Sequence, residues 1–155
     1  MNKDNIISLN QNGESYYRQG IKKRQQNNKK EALQLLKKAY DKNPDNPDYL
    51  SEYAYVMAEN GLGNEAEHLL IDAFVKDDYD ASYFQVLSEL NIIRQDANKA
   101  FLYGVSYAAY SEDNSYRQQL EEMFEVEIDN EAELEKEAER IIAQQIFQHL
   151  FMNAK

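Results

Sequence analysis

Three alanines, Ala32, Ala66 and Ala100, stand 34 residues apart, and the side chains around them recur in kind. A fixed period of this length marks a stacked array, in which each repeat is too small to bury its own apolar face and packs on its neighbours to make a continuous core. Laid in parallel, the windows 13–46, 47–80 and 81–114 share a large apolar residue at the fourth place (Tyr16, Leu50, Phe84), a small one at the eighth (Gly20, Ala54, Ser88) and alanine at the twentieth. Small side chains at facing points let two antiparallel helices approach closely, so these two places predict the tight crossing inside each helical hairpin. On the second helix of each hairpin, Leu35 and Leu36, then Leu69 and Leu70, precede Ala39 and Ala73 by one turn, a spacing that suits a 3.6-residue period. Asn27-Asn28 and Gly61-Leu62-Gly63 fall where the hairpin must reverse, because Asn and Gly accept left-handed backbone at least cost. Between the first two hairpins, Asn43 to Asp48 holds Pro44 and Pro47, which end one helix and suit the first position of the next. Tyr and Ile recur at helical rather than alternating spacing, so no strands are expected and the fold class reads as all-α.

Past Asn114 the phase is lost. Ser115 to Phe124 reads as a helix capped by Ser115, with Leu120, Met123 and Phe124 as an apolar edge to cover the third repeat. A longer helix follows, with Asn130 as its cap and glutamates in its first turns. At 1.5 Å per residue it would extend about 35 Å. It grows more apolar toward its end, through Ile142, Ile146, Phe147, Leu150 and Phe151, whereas a helix closing an array shows a polar outer face. Two expectations follow: the chain is the N-terminal part of a longer array whose next repeat covers this stripe, or it self-associates into a homo-oligomer through the same residues. The domain reading is therefore a poorly ordered extension at 1–12, three hairpins over 13–114 (13–46, 47–80 and 81–114), and C-terminal helices over 115–155.

Composition narrows the function more than it names one. With no cysteine among 155 residues, disulfides, thiolate metal sites and cysteine nucleophiles are excluded, and the cytoplasm is the expected compartment. Residues 1–13 lack the uninterrupted apolar run of a signal peptide, and no segment approaches a membrane span. His68 and His149 fall on different helices without carboxylates at zinc-site spacing, so no metal site is expected. Asp77, Asp78 and Asp80 lack the glycine and glutamate of a calcium loop and read as a solvated turn. No phosphate-binding glycine loop or serine elbow occurs, so no cofactor and no enzymatic activity are expected. The net charge of −11 is unevenly spread: residues 1–46 hold 10 bases against 5 acids, and residues 47–155 hold 7 against 23. An acidic surface repels a phosphate backbone, which argues against nucleic acid as the ligand. The local exception, Arg18, Lys22, Lys23 and Arg24, has no interleaved aromatics and reads as a solvated helix face.

These residues resemble the tetratricopeptide repeat family, whose unit favours a large residue at place 4, small residues at 8, 20 and 27, an aromatic or aliphatic at 24 and proline at 32. The first window matches with Tyr16, Gly20, Ala32, Leu36, Ala39 and Pro44. The second matches with Leu50, Ala54, Ala66, Leu70 and Ala73 but carries Asp78 for the proline. The third is degenerate: it keeps Phe84, Leu87, Ser88 and Ala100 but has Gly104, Tyr107 and Glu112 at the last three places, which leaves its second helix, or that helix's packing, in question. The resemblance implies an α–α superhelix of antiparallel helix pairs and a protein or peptide partner held in a concave groove lined by the first helices. Carried over, that groove holds Glu14, Tyr17, Ile21, Arg24 and Gln25, then Asp48, Ser51, Tyr55, Ala58 and Glu59, then Ser82, Gln85, Glu89, Ile92 and Ile93. Among these, Tyr17, Ile21, Arg24, Tyr55, Glu59, Gln85, Glu89 and Ile92 are the candidate ligand residues. The tyrosines and isoleucines read equally as packing within or between repeats. A clamp for chaperone carboxylates is missing, since Tyr17 and Ile21 stand where a lysine and an asparagine would be wanted. A groove holding Glu59 and Glu89 favours a ligand with positive charge and a few apolar anchors. The readings left open are an adaptor of bacterial type, the host being read from abundant Asn, Lys, Ile and Tyr, a secretion-type chaperone of an unfolded partner, and a structural cap or oligomerisation module.

Overall fold

The computed structural model describes residues 3–77, 80–111, 114–125 and 131–152, and every regular element among them is helical. In chain order these are α1 (Lys3–Gln25), α2 (Lys29–Lys42), α3 (Pro47–Glu59), α4 (Gly63–Lys76), α5 (Ser82–Ile93), α6 (Ala97–Ser111), α7 (Asn114–Phe124) and α8 (Glu131–Met152). Residues 3–12, set apart above as an extension, are the first part of α1. The chain divides into two units, Met1–Ala66 and Glu67–Lys155, with the boundary one turn into α4.

The 34-residue period is written into the backbone hydrogen bonds as well as the side chains. Asn27, Gly61 and Gln95 each take the left-handed conformation, with φ of 60°, 79° and 61°. At each, the following amide reaches back five residues, from Asn28 to the Lys23 carbonyl at 2.8 Å, from Leu62 to Met57 at 2.8 Å and from Asp96 to Asn91 at 2.9 Å. This is the Schellman closure, which satisfies carbonyls a helix end leaves unpaired. The amides of Ala32, Ala66 and Ala100 then donate to the carbonyls of Asn28, Leu62 and Asp96, opening the next helix three times in register. Of these three, Gln95 is the residue whose side chain is ill suited to positive φ, since left-handed backbone costs a residue with a Cβ about 1–2 kcal/mol. Part of that gain is offset by glycine's larger unfolded-state entropy. Gln95→Gly is therefore expected to raise the unfolding free energy by about 0.5–1 kcal/mol. A higher urea midpoint at unchanged slope checks it, and a lower midpoint contradicts it.

In the N-terminal unit α1 packs along α2 and α2 along α3, with α1 also meeting α3. Gly20 is the close-approach point: a Cβ there would stand 2.6 and 2.8 Å from Cγ and Cδ2 of Leu36. Ala32, Leu36 and Val56 form a core without exposed surface, and Tyr17, Ile21, Leu33 and Tyr53 pack on it half-buried. Asn28 caps α2 through the Glu31 amide, and Asn46 caps α3 through the amides of Asp48 and Tyr49, with Pro47 at the first helical position. The Asn60 side chain donates to the Lys29 carbonyl at 3.0 Å, tying the end of α3 to the start of α2.

In the C-terminal unit α5 packs on α6, and α6 in turn carries both α7 and α8. The predicted crossing of small residues is direct here: the Ser88 hydroxyl donates to the Ala100 carbonyl at 2.6 Å, and both residues are fully buried. Phe84 lies 5.2 Å from Phe74 on α4 and 5.8 Å from Tyr110 on α6, ring centre to ring centre. The third repeat keeps its second helix, which answers the doubt raised by its sequence. Gly104 stands where the earlier repeats have Leu36 and Leu70, and the space is filled from outside the repeat. A Cβ on Gly104 would meet both methyls of Leu120 on α7 at 2.7 and 2.8 Å and the Ser88 hydroxyl at 3.0 Å. Leu120, 2% exposed, packs with Val105 and with Phe101, Tyr116 and Phe124. Helix α7 starts at Asn114, so Ser115 lies inside it and not before it. The expected cap Asn130 lies outside the described residues.

Candidate interaction surface

The face of α3 that carries Glu52, Tyr55 and Glu59 follows the i, i+3, i+7 spacing of one helical stripe. Arg24, in the last turn of α1, reaches across to all three. Its Nε and Nη2 lie 3.0 and 2.9 Å from Oε1 of Glu59, its Nη1 lies 2.8 Å from Oε2 of Glu52, and its guanidinium carbon sits 5.5 Å from the centre of the Tyr55 ring. Burial alone would lower the Arg24 pKa, but hydrogen bonds and charge from Glu59 and Glu52 outweigh it and hold the guanidinium above its ordinary value. One cation faces two carboxylates, so the cluster keeps a net negative charge. Oε2 of Glu59 is buried and accepts no hydrogen bond among the described residues. A buried polar oxygen without a partner is uncommon because it forfeits its hydration.

The other candidate groove residues divide. Tyr17 and Ile21 pack on the core of Ala32, Leu36 and Val56, and the Tyr17 ring centre lies 4.9 Å from that of Tyr49. Burial, then the Glu52 charge, raises the Tyr17 pKa. In the C-terminal unit Gln85 donates to Glu89 at 3.4 Å along α5, and Ile92 is 38% exposed near that helix's end. The basic run of α1 is largely neutralised: Arg18 pairs with Glu14 at 2.6 Å, Lys23 with Glu31 at 3.0 Å, and Arg24 with its two glutamates. On α8, Phe147 and Phe151 are 58% and 64% exposed and lie 4.6 Å apart. The side chains of Ile142, Ile146 and Leu150 lie outside the described residues.

One cluster escaped the sequence reading. Glu67 on α4 is 2% exposed and meets three donors: Arg94, Lys99 at 3.2 Å and the Tyr103 hydroxyl at 3.1 Å. Asn91, fully buried, donates to the Leu87 carbonyl and faces Arg94. Burial, then the Glu67 carboxylate, pushes the Tyr103 phenol far above its usual range. The available signal was Glu67's place on the apolar stripe of Leu70, Ile71 and Phe74. This cluster joins helices, and its carboxylate and phenol present almost no surface to a ligand. Among the described residues no group of histidines and carboxylates is arranged to hold a metal ion. Nor is any helix among them long and apolar enough to cross a membrane.

A family model described as tetratricopeptide repeat matches residues 23–90. Over these residues the chain is similar to tetratricopeptide repeats. The match spans the turn of the first hairpin through most of α5, and the all-α architecture fits an α–α superhelix of such repeats. No curated protein and no solved structure matches the chain. Tetratricopeptide repeats generally mediate protein–protein interaction, and proteins of this family are typically scaffolds without catalysis.

Proposed function

We propose that this protein is a non-enzymatic interaction scaffold that binds a basic peptide or partner helix on the first-helix faces of its repeats. The observation that carries this reading is the Arg24 cluster: two glutamates against one arginine, with a half-buried tyrosine beneath it. A lysine or arginine from a ligand would balance the excess negative charge of Glu52 and Glu59, and Tyr55 supplies rigid apolar area for the stem of the same side chain. In the C-terminal unit, Gln85 and Glu89 lie on the first helix of the third hairpin, α5, where Glu89 again favours positive charge. In the N-terminal unit, Tyr17 and Ile21 support the surface from the core. Peptides selected by phage display against the full chain are expected to be rich in Lys or Arg beside an aliphatic or aromatic residue. Glu59→Gln is expected to weaken the best of them about tenfold, since a charged hydrogen bond contributes about 1.5–3 kcal/mol. Titration by fluorescence anisotropy reads this; unchanged affinity, or selected peptides without basic residues, overturns the assignment.

A second reading, self-association, is favoured by Phe147 and Phe151, whose exposure as an i, i+4 aromatic pair is unusual for a helix facing only water. Light scattering across a concentration series separates it from the first, because it alone raises the mass.

A further inference from the structure

We infer that the cleft between the α5–α6 turn and the end of α7 is a second docking point, which takes an aliphatic side chain from a lysine- or arginine-rich segment of another protein. It lies on the C-terminal unit at the turn end of the third hairpin, apart from the Arg24 cluster, and goes beyond the function proposed above.

The cleft holds about 310 Å³. Its floor is Asn91 and Ala100, both fully buried, and its walls include Ile92, Ala97, Met123 and Phe124. Ile92 and Met123 stand at the rim 38% and 58% exposed, large apolar surface that a closed wall would have covered. The volume is at the low end of ordinary ligand sites, about 300–1,000 Å³, and suits one or two branched side chains. The scarcity of polar groups in its lining argues against a small polar molecule. Asn91 is already spent, its amide on the Leu87 carbonyl and its oxygen facing Arg94, which leaves Gln95 alone to orient such a ligand.

Charge decides the kind of segment that brings the anchor. Residues 67–155 hold 19 acids against 7 bases, a net −12, whereas residues 1–66 hold 9 against 10, a net +1. The cations nearest the cleft are engaged within the unit: Arg94 and Lys99 with Glu67, and Arg117 with Glu121 at 3.6 Å. Glu122 and Glu125, exposed and next to Met123 and Phe124 in the chain, add two carboxylates at the end of α7. An apolar cleft flanked by such carboxylates attracts a segment whose aliphatic anchor lies among basic residues, and the field of the whole unit steers it there.

The test is a titration of the ¹⁵N-labelled full chain with the peptide KKLLKK, with KKSSKK and EELLEE as comparisons. KKLLKK is expected to shift the amide resonances of Ile92, Gln95, Ala97, Met123 and Phe124, and each comparison peptide to bind about tenfold more weakly. Ala97→Phe, an exposed position whose larger side chain fills the cleft, is expected to abolish those shifts. Glu122→Lys with Glu125→Lys, also exposed, is expected to weaken them about tenfold. Equal shifts from KKLLKK and KKSSKK overturn the proposal in favour of surface charge alone, and equal binding of EELLEE removes the charge argument. Shifts confined to Tyr55 and Glu59 overturn it while leaving the Arg24 surface intact. A mass that doubles with concentration and returns to monomer in Ala97→Phe assigns the cleft to a second copy and overturns it as well.

Discussion

Glu67→Ala is expected to lower the unfolding free energy by about 3 kcal/mol, because removing one member of a buried ion pair strands its partners. Glu67 lies 2% exposed under Arg94, Lys99 and Tyr103. Its loss leaves the Tyr103 hydroxyl, in a residue 1% exposed, without its acceptor. Arg94 and Lys99 retain side-chain exposures of 21% and 28%, so both can turn partly toward water, which keeps the cost from rising further. The wild-type carboxylate is no proof of net stabilisation, since its own desolvation is paid in full. Replacing Glu67, Arg94 and Lys99 together by methionine is accordingly expected to recover more than half of the loss, as buried ion triads often tolerate apolar replacement. Urea unfolding followed by circular dichroism at 222 nm reads both values. A Glu67→Ala midpoint within error of wild type would mean that the carboxylate contributes nothing to joining α4 with α5 and α6.

That cluster also marks where sequence reading stops. The repeat frame was legible because its causes are local: alanine at every 34th place, residues tolerant of left-handed backbone at Asn27 and Gly61, and a capping asparagine before Pro47. Each acts within a few residues of itself, and each appears in the structure as a hydrogen bond or a close approach. Glu67 has a different kind of cause. Its partners Arg94 and Lys99 stand 27 and 32 residues away, and an acid on an apolar stripe looks like an error until the fold delivers the cations. Arg24 was hidden in the same way, its partners Glu52 and Glu59 lying 28 and 35 residues on. Read along the chain it belonged to a basic run; in space it is held by two carboxylates and a tyrosine ring. Of the candidate ligand residues, Arg24, Tyr55 and Glu59 therefore converge. Tyr17 and Ile21 lie half-buried against the core because α1 turns that face toward Leu36 and Val56, a contact that spacing alone left open.

Gly104 is the sharpest case, since by the family pattern it is a defect and in the structure it is a socket. Leu120→Ala is expected to cost about 2–4 kcal/mol, the range for emptying a filled leucine site in a core. Gly104→Ala sets two effects against each other. A methyl group at 104 would meet Leu120 at 2.7 and 2.8 Å, an overpacking that costs about 1–3 kcal/mol, while alanine in a helix interior favours folding over glycine by about 1 kcal/mol. Leucine's flexible end can retreat, but the Ser88 hydroxyl at 3.0 Å is held by its bond to the Ala100 carbonyl, so the clash is only partly relieved. The double variant separates the terms. With Leu120 shortened, the methyl at 104 enters vacated space and the helix-propensity gain survives without the clash. Gly104→Ala with Leu120→Ala is thus expected to be more stable than the sum of the two single changes by about 1 kcal/mol or more. Additive changes would place Leu120 elsewhere than against Gly104, and α7 would then have no claim to completing the third repeat. A favourable coupling would instead mean that the leucine missing from α6 is supplied by the next helix, so a glycine at that place is what binds α7 to the array.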